Sequence, residues 1–128
     1  MTPIKKPRRR SAEEDLQKRV SAYLHATLAP TATFFAVPNG GYRNMTEAAR
    51  MKATGTRPGV PDLIVFHAGR AIGIELKTKT GRLSAAQVSC HASFQRCGVR
   101  VVVCRSLDDV IAALWEAGVP MRPVRISA

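Results

Sequence analysis

Two acidic residues and a lysine stand at a spacing that suggests metal-assisted chemistry. Asp62 closes the segment Gly-Val-Pro-Asp, and Glu75 and Lys77 follow thirteen and fifteen residues later within Ile-Glu-Leu-Lys. Carboxylates held side by side repel each other, so a protein that places them together commonly has a cation to put between them. Carboxylate oxygens are ligands that Mg²⁺ favours. The pattern therefore predicts that Asp62 and Glu75 hold a divalent ion beside Lys77.

Two short strands are expected to bring these groups together. Residues 62–67 and 71–77 are predicted to be strands, and because only Ala68-Gly69-Arg70 lies between them, they form a tight hairpin. Side chains alternate between the two faces of a strand, so Glu75 and Lys77 share one face.

The position of Asp62 in this hairpin depends on the turn. An Ala68-Gly69 turn sets Asp62 opposite Glu75, whereas a Gly69-Arg70 turn sets it opposite Lys77. A three-residue turn with a bulge would shift the pairing by one residue, so Asp62 would no longer share a face with Glu75 and Lys77. Either two-residue turn places all three groups on one face, with the Cβ atoms of directly opposed residues about 5 Å apart.

The remaining sequence predicts helices and strands in alternation. A helix begins at Ser11, which has capping-box spacing from Glu14 and precedes an apolar stripe that starts at Leu16 and Val20. The other predicted elements are a strand at 33–37, a short helix at 46–53 with Thr46 as N-cap, a helix from the Ser84 cap to Cys97, a strand at 99–104, and a helix opened by Ser106 and ended by Gly118. This order predicts an α/β fold with a mixed sheet and helices on its faces. A basic arm (1–10) and a tail (119–128) flank a single domain at 11–118.

The charge of the chain indicates its partner. Twenty Lys and Arg residues against nine acids give a formal charge of +11 in 128 residues. A polyanion is expected, with nucleic acid as the first choice and an acidic membrane surface as the rival. No apolar run reaches the roughly 18 residues that span a bilayer. Three cysteines without CxxC spacing favour a reducing, cytoplasmic setting and argue against disulfides and zinc.

A nucleic-acid partner gives the acidic pair a chemical purpose. A divalent ion held by Asp62 and Glu75 would lower the pKa of a bound water and neutralise charge on a scissile phosphate. Lys77 would orient that water or stabilise the transition state. The residues thus predict phosphodiester hydrolysis.

Four sequence segments together resemble the VRR-NUC family of the PD-(D/E)XK nuclease superfamily. They are Pro-Asn-Gly-Gly at 38–41, Gly-Val-Pro-Asp-Leu at 59–63, Ile-Glu-Leu-Lys at 74–77, and Gly-Arg-Leu-Ser at 81–84 leading to Gln87. The resemblance covers residues 12–117. It implies a restriction-endonuclease-like αβββαβ core, with a mixed four-stranded sheet flanked by helices and residues 46–53 as an insertion.

The resemblance also implies roles for individual residues. Asp62, Glu75 and the main-chain carbonyl of Leu76 would bind Mg²⁺, for which Mn²⁺ would substitute. Lys77 would be catalytic, and Gln87 would lie at the edge of the site. A solvated helix position is the alternative for Gln87.

The resemblance further implies that an acid on the first helix contributes through a water bound to the metal. Glu13, Glu14 and Asp15 are the candidates. Glu13 is preferred because it lies three residues before Leu16 and seven before Val20, along the buried stripe. Glu14 has the simpler role of cap partner.

Helical spacing also puts Gln87, His91 and Phe94 on one face of their helix. His91 is expected to pack there rather than to bind a ligand.

Stand-alone family members resemble Holliday-junction resolvases, which are small homodimers. This likeness implies a structure-specific endonuclease that acts on branched DNA. A non-catalytic basic nucleic-acid-binding protein and a duplex nuclease of the same fold are the alternatives. The basic N-terminal arm and six further residues are candidate DNA contacts: Arg43, Arg50, Lys52, Arg57, Lys79 and Arg82.

Overall fold

Helices and strands alternate along the chain and surround a four-stranded sheet. A computed structural model describes residues 9–38 and 44–123, with side chains from Ala12 onward. The elements are α1 (Arg9–Thr27), β1 (Ala32–Ala36), α2 (Met45–Ala53), β2 (Leu63–His67), β3 (Arg70–Leu76), α3 (Ala85–Arg96), β4 (Arg100–Cys104) and α4 (Leu107–Glu116).

The sheet is mixed and its strands follow chain order. β1, β2 and β3 pair antiparallel, while β4 pairs parallel to β3 after the crossover through α3. A parallel pair requires such a crossover, whereas antiparallel neighbours can be joined by a short turn. The predicted α/β class, with a restriction-endonuclease-like mixed sheet and flanking helices, is confirmed.

The turn between β2 and β3 is the Ala68-Gly69 alternative. His67 pairs with Arg70, and the two turn residues both have positive φ, 48° for Ala68 and 71° for Gly69. Two successive positive φ values are typical of the type I′ turn, whose twist matches that of an antiparallel hairpin. Counting back along this register places Asp62 directly opposite Glu75.

The main core lies between one sheet face and helices α1 and α4. Apolar residues at helical spacing on α1, beginning with Leu16 and Val20, pack with alternate residues of the central strands. The core members from the sheet are Leu63, Val65, Ile72, Ile74, Leu76 and Cys104. The other face of the sheet is left for α3, which buries Cys90 and His91.

Two predicted helix starts are wrong and two are confirmed. α1 begins at Arg9, so Ser11 lies within the helix and is not its N-cap. Arginine is a good helix former, which lets the helix extend before the serine. Asn44, not Thr46, caps α2, because its extended backbone leaves its side chain free to accept from the Glu47 amide at 2.8 Å. Ser84 and Ser106 cap α3 and α4 as predicted.

Cys90, Cys97 and Cys104 are free thiols. Within residues 9–38 and 44–123, none of the helices is long and apolar enough to cross a membrane. The predicted arm lies largely outside these ranges. The predicted tail is described as far as residue 123, and its first part packs onto the domain, since Val119 is buried in the core and Met121 forms a β-bridge with Leu28.

Replacing Ala68 by glycine is expected to stabilise the protein. A left-handed backbone costs a residue with a Cβ about 1–2 kcal/mol, and the freer unfolded chain returns about 0.4–1 kcal/mol of this. Urea denaturation of Ala68→Gly should therefore show a free energy of unfolding higher by about 0.5–1 kcal/mol. The matched control, Ala22→Gly on the exposed side of α1, should lose about 0.5–1 kcal/mol. A loss in both variants would contradict the strained turn.

Candidate active site

Asp62 and Glu75 face each other where β1, β2 and β3 meet. Asp62 immediately precedes β2, and its carbonyl accepts a hydrogen bond from the Val37 amide at 2.8 Å, which keeps it in the ladder. Its Oδ2 accepts from the Leu76 amide at 2.7 Å. Glu75, on β3, is 1% exposed. The two carboxyl groups are therefore held together by backbone pairing and by a direct bond to the neighbouring strand.

Glycines allow the Gly-Val-Pro-Asp segment to lie close against its neighbours. A Cβ on Gly73 would stand 2.8 Å from Cγ of Pro61, so only glycine lets the proline cross β3 at this point. Gly59 has a φ of 84°, and a Cβ there would come within 2.3 Å of the Ala86 carbonyl oxygen. The segment thus fits between the sheet and the first turn of α3.

Helix α3 holds the Glu75 carboxyl group from the other side. His91 Nε2 lies 2.9 Å from Glu75 Oε1, and Gln87 Nε2 donates to Glu75 Oε2 at 3.4 Å. The capping box of α3 orients this amide, because the Ser84 amide donates to Gln87 Oε1 at 2.9 Å and leaves the nitrogen to face Glu75. Gln87 therefore contacts Glu75, and sequence reasoning missed the contact made by His91. Its spacing four residues after Gln87 indicates a shared helix face but not the strand residue that His91 contacts.

The surroundings of Glu75 favour its protonated form. Burial raises its pKa to about 9, helped by a hydrogen bond to Asp62 and by the negative charges of Asp62 and Glu13, against the opposing charge of Lys77. Burial and Lys77 lower the pKa of His91, although the charge of Asp62 opposes them. At neutral pH the contact between His91 and Glu75 is therefore a hydrogen bond between neutral groups.

Lys77 and Glu13 lie at the same site. Lys77 is 9% exposed, and its amide donates to the Cys104 carbonyl at 3.0 Å, which continues the pairing of β3 with β4. Glu13 Oε1 lies 3.5 Å from the position that a Cβ on Gly81 would take, and its charge acts on Glu75. Glu14 is exposed. The structure thus brings Glu13 towards the acidic pair.

The loop after Lys77 is fixed by Arg105, which sequence reasoning also missed. Arg105 Nη1 donates to the carbonyl oxygens of Thr78 and Gly81, both at 2.7 Å, and to that of Lys79 at 3.3 Å. The signal was indirect: β3 and β4 are parallel, so the residues that follow them lie side by side. The side-chain hydroxyl of Thr78 is buried without a hydrogen-bond partner among the described residues.

Comparisons with known proteins identify the family. Residues 6–108 match the sequence model of the VRR-NUC domain. This chain belongs to the VRR-NUC family, a family of nucleases. Two solved structures have the same fold: a "VRR_NUC domain protein" (TM-score 0.59, 21% identity, covering 80% of this chain and 84% of the other), and a "VRR_NUC domain" (TM-score 0.55, 23% identity, 81% and 94%). No match to a curated protein was found.

The candidate DNA contacts of this VRR-NUC chain are exposed wherever they are described. Arg50 and Lys52 lie in the last turn of α2, and Lys79 and Arg82 lie in or beside the loop fixed by Arg105. Arg57 Nη1 donates to Ser93 Oγ on α3 at 3.2 Å. Arg43 lies outside the described residues. As a set, these side chains remain predictions.

The carboxylates of Asp62 and Glu75 are oxygen donors, the kind of ligand that Mg²⁺ takes. Within the parts of the chain that the structure describes, no three His, Cys, Asp or Glu side chains are grouped for metal binding. An ion at this site would be held by Asp62, Glu75 and the Leu76 carbonyl, with water as the remaining ligands. Mg²⁺ commonly keeps several waters in this way, whereas structural zinc is enclosed by four protein ligands.

The pKa of Glu75 predicts a pH-dependent stability in metal-free protein. Its ordinary value of 4.5 applies to the unfolded chain, and about 9 applies to the folded one. The folded state therefore keeps a proton that the unfolded state loses, and stability falls as pH rises from about 4.5 towards 9, by at most about 1.4 kcal/mol per pH unit. Urea denaturation in EDTA between about pH 5 and pH 8 should show this fall.

Glu75→Gln replaces the titrating group by a neutral amide. The fall of the free energy of unfolding with pH that Glu75 causes should therefore disappear. Glu116→Gln, at an exposed position on α4, is the matched control and should keep it. Equal slopes in both variants would contradict the raised pKa.

Proposed function

We propose that this VRR-NUC protein is a Mg²⁺-dependent endonuclease that hydrolyses phosphodiester bonds in branched DNA, with the four-way junction as its principal substrate. The observation that carries the proposal is the direct opposition of Asp62 and Glu75 beside buried Lys77. Burying acids next to each other is costly without a cation, and the membership of a nuclease family supplies a reaction in which that cation is used.

Asp62, Glu75 and the Leu76 carbonyl are the groups that would hold Mg²⁺, with Mn²⁺ as a substitute. When bound, the ion supplies a water of lowered pKa and a Lewis acid for the scissile phosphate. Asp62 is held ready by the Leu76 amide at 2.7 Å. Glu75 is fixed at both oxygens by His91 and Gln87.

Lys77 would be the catalytic cation supplied by the protein. Its ammonium group would donate to a phosphate oxygen or orient the attacking water, and both actions stabilise charge that develops in the transition state. Because Lys77 is 9% exposed, little solvent would screen that interaction. Glu13 would contribute through a water molecule at the edge of the site.

The exposed basic side chains would bind the phosphate backbone without reading sequence. Selection of substrate would then come from shape, and two active sites related by a two-fold axis match the symmetry of a four-way junction. The proposal therefore includes a homodimer. Sedimentation of the free protein and of its junction complex tests this part.

Substitution at the acidic pair or at the lysine is expected to abolish cleavage. Asp62→Asn and Lys77→Met should each lower the rate on a labelled four-way junction in Mg²⁺ by about 100-fold or more, while DNA affinity measured in EDTA is retained. Asp108→Asn and Lys18→Met, at exposed positions on α4 and α1, are the matched controls. Cleavage that continues in Asp62→Asn or Lys77→Met would overturn the site assignment.

The same assay separates the alternatives. Equal rates on linear duplex and four-way junction would favour a duplex nuclease. DNA binding without cleavage in Mg²⁺ or Mn²⁺ would favour a non-catalytic nucleic-acid-binding protein. Strand mapping of the junction products would show whether two symmetric strands are nicked.

Metal binding should release a proton. At pH 7.5 Glu75 is protonated in the metal-free site, since its pKa is about 9, and it must ionise to become a ligand. Calorimetric titration with Mn²⁺ in two buffers of different ionisation enthalpy should show release of close to one proton per ion. Glu75→Gln should bind weakly and release none. Tight binding with no dependence on the buffer would contradict the assignment of Glu75 as a ligand.

A further inference from the structure

Two phenylalanines form an exposed ring stack on the sheet. Phe35 on β1 is 50% exposed and Phe66 on β2 is 41% exposed, and their ring centroids lie 5.8 Å apart with an interplanar angle of 24°. The other large exposed apolar side chains of the described residues (Met45, Val88 and Trp115) lie on three separate helices. Phe35 and Phe66, called the aromatic pair below, are therefore a distinct apolar surface.

The aromatic pair lies on the same sheet face as the acids. Along β2, Phe66 is four residues from Asp62, so the period of two places both side chains on one face. Phe35 pairs with Ile64, which shares that face. The rise of a strand and the spacing between strands put the Cα of Phe35 about 8 Å from that of Asp62. A base stacked on the rings would therefore lie near a phosphate bound at the acids.

An exposed aromatic pair beside a basic nuclease site fits one kind of ligand. Every nucleobase has a flat π-face, and stacking on an aromatic ring is worth about 1–3 kcal/mol per base. In a paired duplex the bases stack on each other and are hidden from a flat protein surface. At a branch point the continuous stack of bases is interrupted, so a base there can leave its pair and stack on a protein ring, as can a base in a single strand.

We propose that Phe35 and Phe66 form a stacking platform for an unpaired nucleobase next to the scissile phosphate. This inference rests on the proposed function, because that function places the phosphate at the acidic pair. The platform would give the enzyme a means to prefer branched DNA that does not depend on base sequence. The backbone would be held by the basic residues and the unpaired base by the rings.

A binding experiment tests the platform without requiring cleavage. Fluorescence anisotropy in EDTA would measure the dissociation constants of the full chain for a thymidine oligonucleotide of about 12 nucleotides and for its abasic counterpart of equal length and charge. Phe35→Leu and Phe66→Leu keep apolar volume and remove the π-face. Phe35→Tyr restores a ring, and Trp115→Leu removes an exposed aromatic residue from a different surface.

The expected result is a preference of about tenfold for the oligonucleotide with bases, shared by the unaltered protein, Phe35→Tyr and Trp115→Leu. Phe35→Leu and Phe66→Leu should lower this ratio towards one while binding the abasic strand unchanged. A ratio near one in the unaltered protein, or an equal ratio in the leucine variants, would overturn the proposal. The leucine variants could also show a lower molecular mass by sedimentation with an unchanged ratio of dissociation constants. This result would overturn the proposal, because it would mean that a second copy of the chain covers the rings in the unaltered protein.

A cleavage experiment locates the base. Single abasic sites would be placed on either side of the mapped cut in a four-way junction, and one of them should slow the unaltered protein but leave Phe35→Leu unaffected. Cleavage that is insensitive to every abasic site would overturn the platform while leaving the nuclease intact. Absence of any cleavage by the unaltered protein would instead contradict the proposed function, and the binding ratio would still decide on the platform.

Discussion

The register of one hairpin determines whether this protein has a site at all. β2 and β3 are joined by two residues, and their pairing sets Asp62 opposite Glu75. Because side chains alternate, a shift of the strand register by one residue would point one acid towards the core and separate the pair. The alternation that directs Leu63, Val65, Ile72 and Ile74 into the core also directs the acids to the opposite face. Burial of these core residues therefore fixes the register of β2 against β3, and with it the opposition of the two acids.

The second constraint is electrostatic. Glu75 is almost fully buried, and the groups that contact its oxygens from α3 are a neutral imidazole and an amide. These groups orient the carboxyl, and the charge of Lys77 opposes the rise of its pKa only in part. The fold thus favours the protonated acid, and a bound cation would have to displace that proton. Burial and hydrogen bonding act in the same direction here, since both fix the group before any ligand arrives.

Some of this arrangement could be predicted from the sequence, because it depends on local periodicity. The common face of Glu75 and Lys77 follows from the alternation of a strand, and the caps Ser84 and Ser106 follow from residue type and spacing. The residue opposite Asp62 could be predicted only if the turn between β2 and β3 were known, and the sequence alone allowed more than one turn. Asn44 was missed as a cap because both Asn44 and Thr46 are good cap residues and the backbone, not composition, decides between them.

The residues that sequence reasoning missed act across long separations. His91 reaches Glu75 only because α3 crosses back over the sheet, and no spacing within α3 shows which strand residue it will meet. Arg105 contacts carbonyl groups about 25 residues earlier in the chain. Such contacts follow from the parallel pairing of β3 and β4, which is a property of the whole topology.

The hydrogen bonds from Arg105 to the loop after Lys77 affect which substitutions this protein can accept. A guanidinium that binds main-chain oxygens fixes the path of a loop whatever side chains the loop carries. Positions 79, 80 and 82 are exposed, so they are free to exchange one residue type for another while Lys77 stays where it is. Substitutions at these positions, by natural drift or by laboratory selection, would therefore change the affinity for a substrate without moving Lys77.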